Sequence, residues 1–136
     1  MDKIIHELTI EDLQKLQTAM DKCILILKFG ADWCGPCKKI APAFYKFVQE
    51  APPNIIFADI DVDEQLELYM ALKKNKMVNG IPVMIAYYGN AKRDKWFIPE
   101  DSVIGADETS VNAFFTRTKS KAFEMQHPAA GYTYYS

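Results

Sequence analysis

The chain has 136 residues, 49% of them apolar and 25% charged, with a net charge of −2. That length fits a single domain able to bury a core without disulfide staples, and the balanced charge excludes the basic footprint of a nucleic-acid binder. No run of about 18 apolar residues is present, so no transmembrane helix is expected; the charged N-terminus does not read as a signal peptide, and a reducing, cytoplasmic setting follows as the default.

In chain order, Thr9-x-x-Asp12 has the spacing of a capping box. Ile10, Leu13, Leu16 and Met20 follow at helical spacing. Cys23 to Phe29 is an almost unbroken apolar run, the pattern of a buried central strand. A helix is expected from Cys34 to about Gln49, burying Ile40, Phe44, Phe47 and Val48, with Pro42 inside it. Pro52-Pro53-Asn54 is a turn, and Ile55 to Ile60 the next strand.

A helix from Glu64 to Lys74 is expected with Asp63 as its N-cap. Pro82 to Tyr88 reads as a strand, Gly89-Asn90 as a hairpin turn, and Lys92 to Ile98 as the strand pairing back. Pro99 to Ser102 is a polar loop. Asp107 caps a last helix through Phe123, with Val111, Phe114, Phe115 and Phe123 facing inward. Residues 1–125 form one domain, and residues 126–136, with Tyr132, Tyr134 and Tyr135, a C-terminal tail without a clear period.

Trp33-Cys34-Gly35-Pro36-Cys37-Lys38 carries the chemistry. A Cys-x-x-Cys between a strand and a helix reads as a dithiol redox site. A cysteine at a helix N-terminus meets unpaired N–H groups and the positive end of the helix dipole, both of which favour a thiolate. Cys34 and Cys37, three residues apart, share one helix face and can bridge. Gly35 leaves the approach open, and Pro36 suits the first turn. Cys34 is expected to be the more exposed of the two. Zinc would need about four ligands, and Cys23, His6 and His127 supply no second Cys-x-x-Cys, so no metal site is expected. Cys23 reads as a small core residue.

Three stretches together resemble the thioredoxin family: Phe29 to Lys38 with Ile40-Ala41-Pro42, then Val78-Asn79-Gly80-Ile81-Pro82, then Ile104-Gly105-Ala106. The resemblance covers about Ile4 to Phe123. It implies an α/β thioredoxin fold, a central mixed β-sheet flanked by helices on both faces. It implies protein-disulfide reduction, with Cys34 as nucleophile and Cys37 as resolving thiol. Gly35 and Pro36 match the reducing members. Trp33 would shield the site and touch substrate. Pro82 would be a cis-proline facing the dithiol, and Ile81 would offer its backbone to an extended substrate. No cofactor is implied. Disulfide-containing proteins would be the substrates, an NADPH-dependent flavoprotein reductase the electron source, and the protein a monomer. A disulfide donor or isomerase, or a non-redox binding subunit, are the alternatives.

The chain departs from the family pattern in four places. A buried acid is usual six residues before the first cysteine, where this chain has Lys28; the matching lysine falls at Asp59. Either the two form a swapped pair beneath the dithiol, with Asp59 as a proton acceptor, or Lys28 snorkels outward and Asp59 faces solvent. Gly30 stands where an aromatic is usual, and the segment between Gly89 and Gly105 is longer than in typical members.

Overall fold

The computed structural model describes residues 3–127. Its elements run β1 (Ile4–Ile5), α1 (Ile10–Ala19), β2 (Ile24–Gly30), α2 (Gly35–Glu50), β3 (Ile55–Asp61), α3 (Leu66–Lys74), β4 (Val83–Tyr88), β5 (Asp101–Ile104) and α4 (Glu108–Gln126). The strands form one sheet in the order β1-β3-β2-β4-β5. β1 and β2 pair parallel to β3, while β4 pairs antiparallel to β2 and to β5. This is the mixed sheet that the sequence led us to expect.

β2 sits at the centre and is buried along its whole length. Its side chains alternate between two cores, as strand geometry requires. Leu25, Leu27 and Phe29 join residues of α1 and α3 on one face. Ile24 and Ile26 join Ile40, Phe44 and Phe47 of α2 and Phe114 of α4 on the other. That alternation sends Lys28 toward α2, where its ammonium lies 5.4 Å from the Phe44 ring centroid. Asp59 is its register partner on β3. The capping box of α1 forms as expected: Thr9 and Asp12 each bond the other's backbone N–H. Asp107 caps α4 by accepting from the backbone N–H of Ser110 at 3.0 Å.

Three local expectations are overturned. Lys92 to Ile98 is not a strand; β4 pairs with Asp101–Ile104 instead, a strand that begins inside the Pro99–Ser102 stretch read as a polar loop and runs past it. The reason lies in Trp96 and Phe97. A strand would send neighbours to opposite faces, yet both pack against the α1/α3 core. Asp63 does not cap α3. The helix begins two residues later than expected, with Gln65 at the N-cap and no side-chain cap bond. Asp61 takes the turn instead, accepting the N–H groups of Asp63 at 2.8 Å and Glu64 at 3.3 Å. Phe123 is 62% exposed, and Thr118 and Ala122 fill the inward positions of α4. The tail tyrosines lie outside the described residues.

Candidate active site

The dithiol sits at the C-terminal end of the central strand. β2 ends at Gly30, a short turn follows, and α2 starts at Gly35 with Cys34 as its N-cap. Cys34 has extended backbone (φ −92°, ψ 108°), and its Sγ accepts the Cys37 N–H at 3.2 Å. A sulfur at an N-cap takes the place of the usual cap oxygen, satisfying one of the orphan donors of the first turn. Cys34 and Cys37 are joined by a disulfide, with Cα atoms 5.3 Å apart. Pro36 occupies the first turn, where its missing N–H costs no helical bond. Open space surrounds Gly35.

The expected difference in exposure is not seen: Cys34 and Cys37 are 5% and 4% exposed. Both cysteines are buried, and what stands out into solvent is Trp33, 69% exposed. Its indole N–H donates to Asp63 Oδ2 at 2.8 Å, which holds the ring across the start of the β3–α3 connection. Asp63 thus anchors the tryptophan where the sequence suggested a helix cap.

Lys28 is buried, at 5% exposure, and its ammonium meets Asp59 Oδ1 at 3.1 Å. The snorkelling alternative is therefore overturned in favour of the swapped pair. The second carboxylate oxygen, Oδ2, accepts the phenol O–H of Tyr45. Tyr45 was not among the expected site residues, although helical spacing points to it: Cys37, Ala41 and Tyr45 succeed one another every fourth residue along α2. All three line a cavity of about 240 Å³, together with Lys28, Gly30 and Asp59. Gly30 opens this cavity. A β-carbon there would lie 3.4 Å from Cys37 Sγ and 3.5 Å from Lys28 Nζ.

Ile81 and Pro82 immediately precede β4, at the end of the sheet that also carries the dithiol turn, since Val83 pairs with Phe29. The Ile81–Pro82 peptide is cis, and Pro82 O accepts the Gly105 N–H at 2.8 Å. Cys23 stays apart from the site; it is half-buried, and its thiol donates to Asp21 O. Among the described residues no cluster of three or more His, Cys, Asp or Glu side chains is placed to hold a metal ion.

Comparison with known proteins agrees with this geometry. The thioredoxin family model matches residues 6–108. A thioredoxin of Malassezia sympodialis is 31% identical over 108 residues, covering 78% of this chain and 90% of that protein. A thioredoxin of Ophiophagus hannah is 42% identical over 64 residues, covering 47% of this chain and 58% of that protein. The chain thus spans little more than half the length of some curated relatives it matches, 54% and 58% for two of them. The solved structure of Fasciola hepatica thioredoxin superposes with a TM-score of 0.65 at 28% identity, covering 85% of this chain and all of that one.

Proposed function

Because this chain belongs to the thioredoxin family, we propose that it is a thiol–disulfide oxidoreductase that reduces disulfides in other proteins. The observation that carries this reading is the position of Cys34: an N-cap sulfur on a 16-residue helix, bonded to Cys37 one turn on. In the reduced protein the N–H groups and dipole of that helix end favour the Cys34 thiolate. The thiolate attacks a substrate disulfide, forming a mixed disulfide and releasing one substrate thiolate. Cys37 then attacks Cys34 Sγ, so the Cys34–Cys37 bond forms and the mixed bond breaks. Two electrons pass from the dithiol to the substrate. Proximity makes the second step effectively unimolecular.

Trp33, exposed beside the dithiol and held by Asp63, is suited to cover the scissile disulfide with apolar surface. In this reading Ile81 and Pro82 bind substrate backbone, as in strand addition, which their place at the same sheet end supports. Disulfide-bearing proteins are the substrates in this reading. An NADPH-dependent flavoprotein reductase returns the electrons, and the protein acts as a cytoplasmic monomer. The test is insulin reduction with dithiothreitol as electron source. Catalysed precipitation of the insulin B chain is the expected result, and a rate equal to dithiothreitol alone would refute the reading.

One observation favours a second direction of flow. Lys28 places a buried cation near Cys37, on the side where relatives carry an acid, and a cation favours thiolate over disulfide. A disulfide donor is the corresponding alternative. Equilibration in a glutathione buffer series separates the two: a strongly reducing dithiol supports the reductase, and one that stays reduced in oxidised glutathione supports the donor.

A further inference from the structure

The geometry points to Lys28 as the residue that holds the resolving thiol Cys37 ionised, with Asp59 acting as the partner that positions Lys28 and not as the base that deprotonates Cys37. This rests on the assignment of Cys37 as the resolving thiol. Three observations carry it. First, a methyl carbon at Gly30 would lie 3.4 Å from Cys37 Sγ and 3.5 Å from Lys28 Nζ, so sulfur and ammonium are no more than about 6.9 Å apart. Second, both carboxylate oxygens of Asp59 are engaged, Oδ1 by Lys28 and Oδ2 by the Tyr45 hydroxyl. A proton taken up by Asp59 would weaken its attraction to the Lys28 ammonium, so the pair as built favours a positioning role for the carboxylate. Third, a cavity of about 240 Å³ lies beside Cys37 and Gly30, lined in part by Lys28, Tyr45, Asp59 and Asp61, through which a proton can leave to solvent. A carboxylate relay is then unnecessary.

The other ionisable groups around the cavity come from every neighbouring element. His6, beside β1, has Nδ1 3.2 Å from the Asp59 carbonyl oxygen. Asp61, at the end of β3, accepts from the turn that follows it. Asp32 and Lys38, exposed, flank the dithiol turn. Lys28 is the buried cation of the set. In the resolving step the Cys37 thiolate attacks Cys34 Sγ, the Cys34–Cys37 bond forms, the bond to substrate breaks, and the substrate leaves as a thiolate that takes its proton from solvent. With Cys37 already ionised, no proton moves in the rate-determining event.

The test uses full-length protein with Cys23 and Cys34 replaced by serine, so that Cys37 is the one thiol, in a His6→Gln background that removes the cavity's imidazole. The Cys37 thiolate is followed by its ultraviolet absorbance against pH. Lys28→Met should raise the midpoint by about one pH unit or more, and Lys28→Arg should restore most of the loss. Asp59→Asn should move the midpoint down, since it removes the opposing negative charge. Gly30→Ala fits at ordinary contact distance; it should raise the midpoint by displacing solvent from the sulfur. This variant keeps the test open if Lys28→Met does not fold. Midpoints unchanged in Lys28→Met or Gly30→Ala would overturn the proposal. So would slowed resolution of a mixed disulfide in Asp59→Asn protein with both active-site cysteines, the sign of a carboxylate base. The titration needs no protein substrate, so it stays readable even if insulin is not reduced.

Discussion

Arg93 and Glu100 form a 2.6 Å ion pair that closes the segment between β4 and β5 onto the end of β4. Glu100 Oε1 also accepts the Tyr88 N–H at 2.7 Å, and Arg93 donates to the Tyr88 carbonyl at 3.0 Å. Together they satisfy both backbone groups of Tyr88. The pair is largely buried, with Arg93 over the Tyr87 ring. Truncating one member of a buried pair leaves the other uncompensated, so Arg93→Ala should cost about 3 kcal/mol. Denaturant unfolding measures the loss, and hydrogen exchange should quicken first at Tyr88 and through residues 91–100. Loss under about 1 kcal/mol would place the pair among weakly contributing surface bridges.

This segment also marks the limit of what the sequence told. The central strand, the dithiol helix and both caps with acidic partners were legible because each rests on local chemistry: an apolar run, a Cys-x-x-Cys, an Asp or Thr before a periodic stretch. Lys92 to Ile98 was misread because it follows the local Gly89-Asn90 turn signal, while its conformation is set by Trp96 and Phe97 packing on a distant face. Arg93 finding Glu100 and Gln17 finding the Trp96 carbonyl are tertiary events too. At the active site the cysteines and Trp33 were readable. The Lys28–Asp59 choice was not, because burial decides it and burial depends on register between β2 and β3. Tyr45 was within reach of helical spacing and was overlooked.

Asn54 ties the start of the central strand to the last helix. Its side-chain N–H groups donate to Lys22 O at 2.9 Å and to Ala122 O at 2.8 Å, inside the protein. Asn54→Ala leaves two carbonyls without those donors and should cost about 1–3 kcal/mol. The midpoint of denaturant unfolding should fall with an unchanged slope. Wild-type stability would show that other donors take over.

Two helix caps give stability an acid dependence. The Asp12 carboxyl is held below its ordinary value, chiefly by the Thr9 backbone N–H, and that of Asp107 chiefly by the Ser110 side chain. A lowered folded-state pKa means that the stabilisation is complete above the ordinary carboxylate pKa of 3.8 and is lost as pH falls through the lower folded value. Asparagine serves as well as aspartate at the Asp107 N-cap, and at position 12 its amide oxygen can still accept the Thr9 N–H, but it does not titrate. The Asp12→Asn/Asp107→Asn protein should therefore show a shallower fall of Tm below about pH 4. Parallel Tm curves for the two proteins would contradict the linkage.

Trp33→Ala should leave the fold intact, since the ring is mostly exposed, and should weaken protein-disulfide reduction through KM more than through kcat. Insulin reduction at varied insulin concentration checks this. Equal loss in kcat would mean that the ring acts on the chemical step.

The most direct test of the central claim is capture of the covalent intermediate. Cys37→Ser protein, incubated with insulin and run without reductant, should accumulate a mixed disulfide through Cys34, because release requires the resolving thiol. Cys34→Ser protein should form none and reduce no insulin, and Cys23→Ser should turn over normally. A Cys34→Ser protein that still reduces insulin, or a Cys37→Ser protein that traps nothing, would contradict the account.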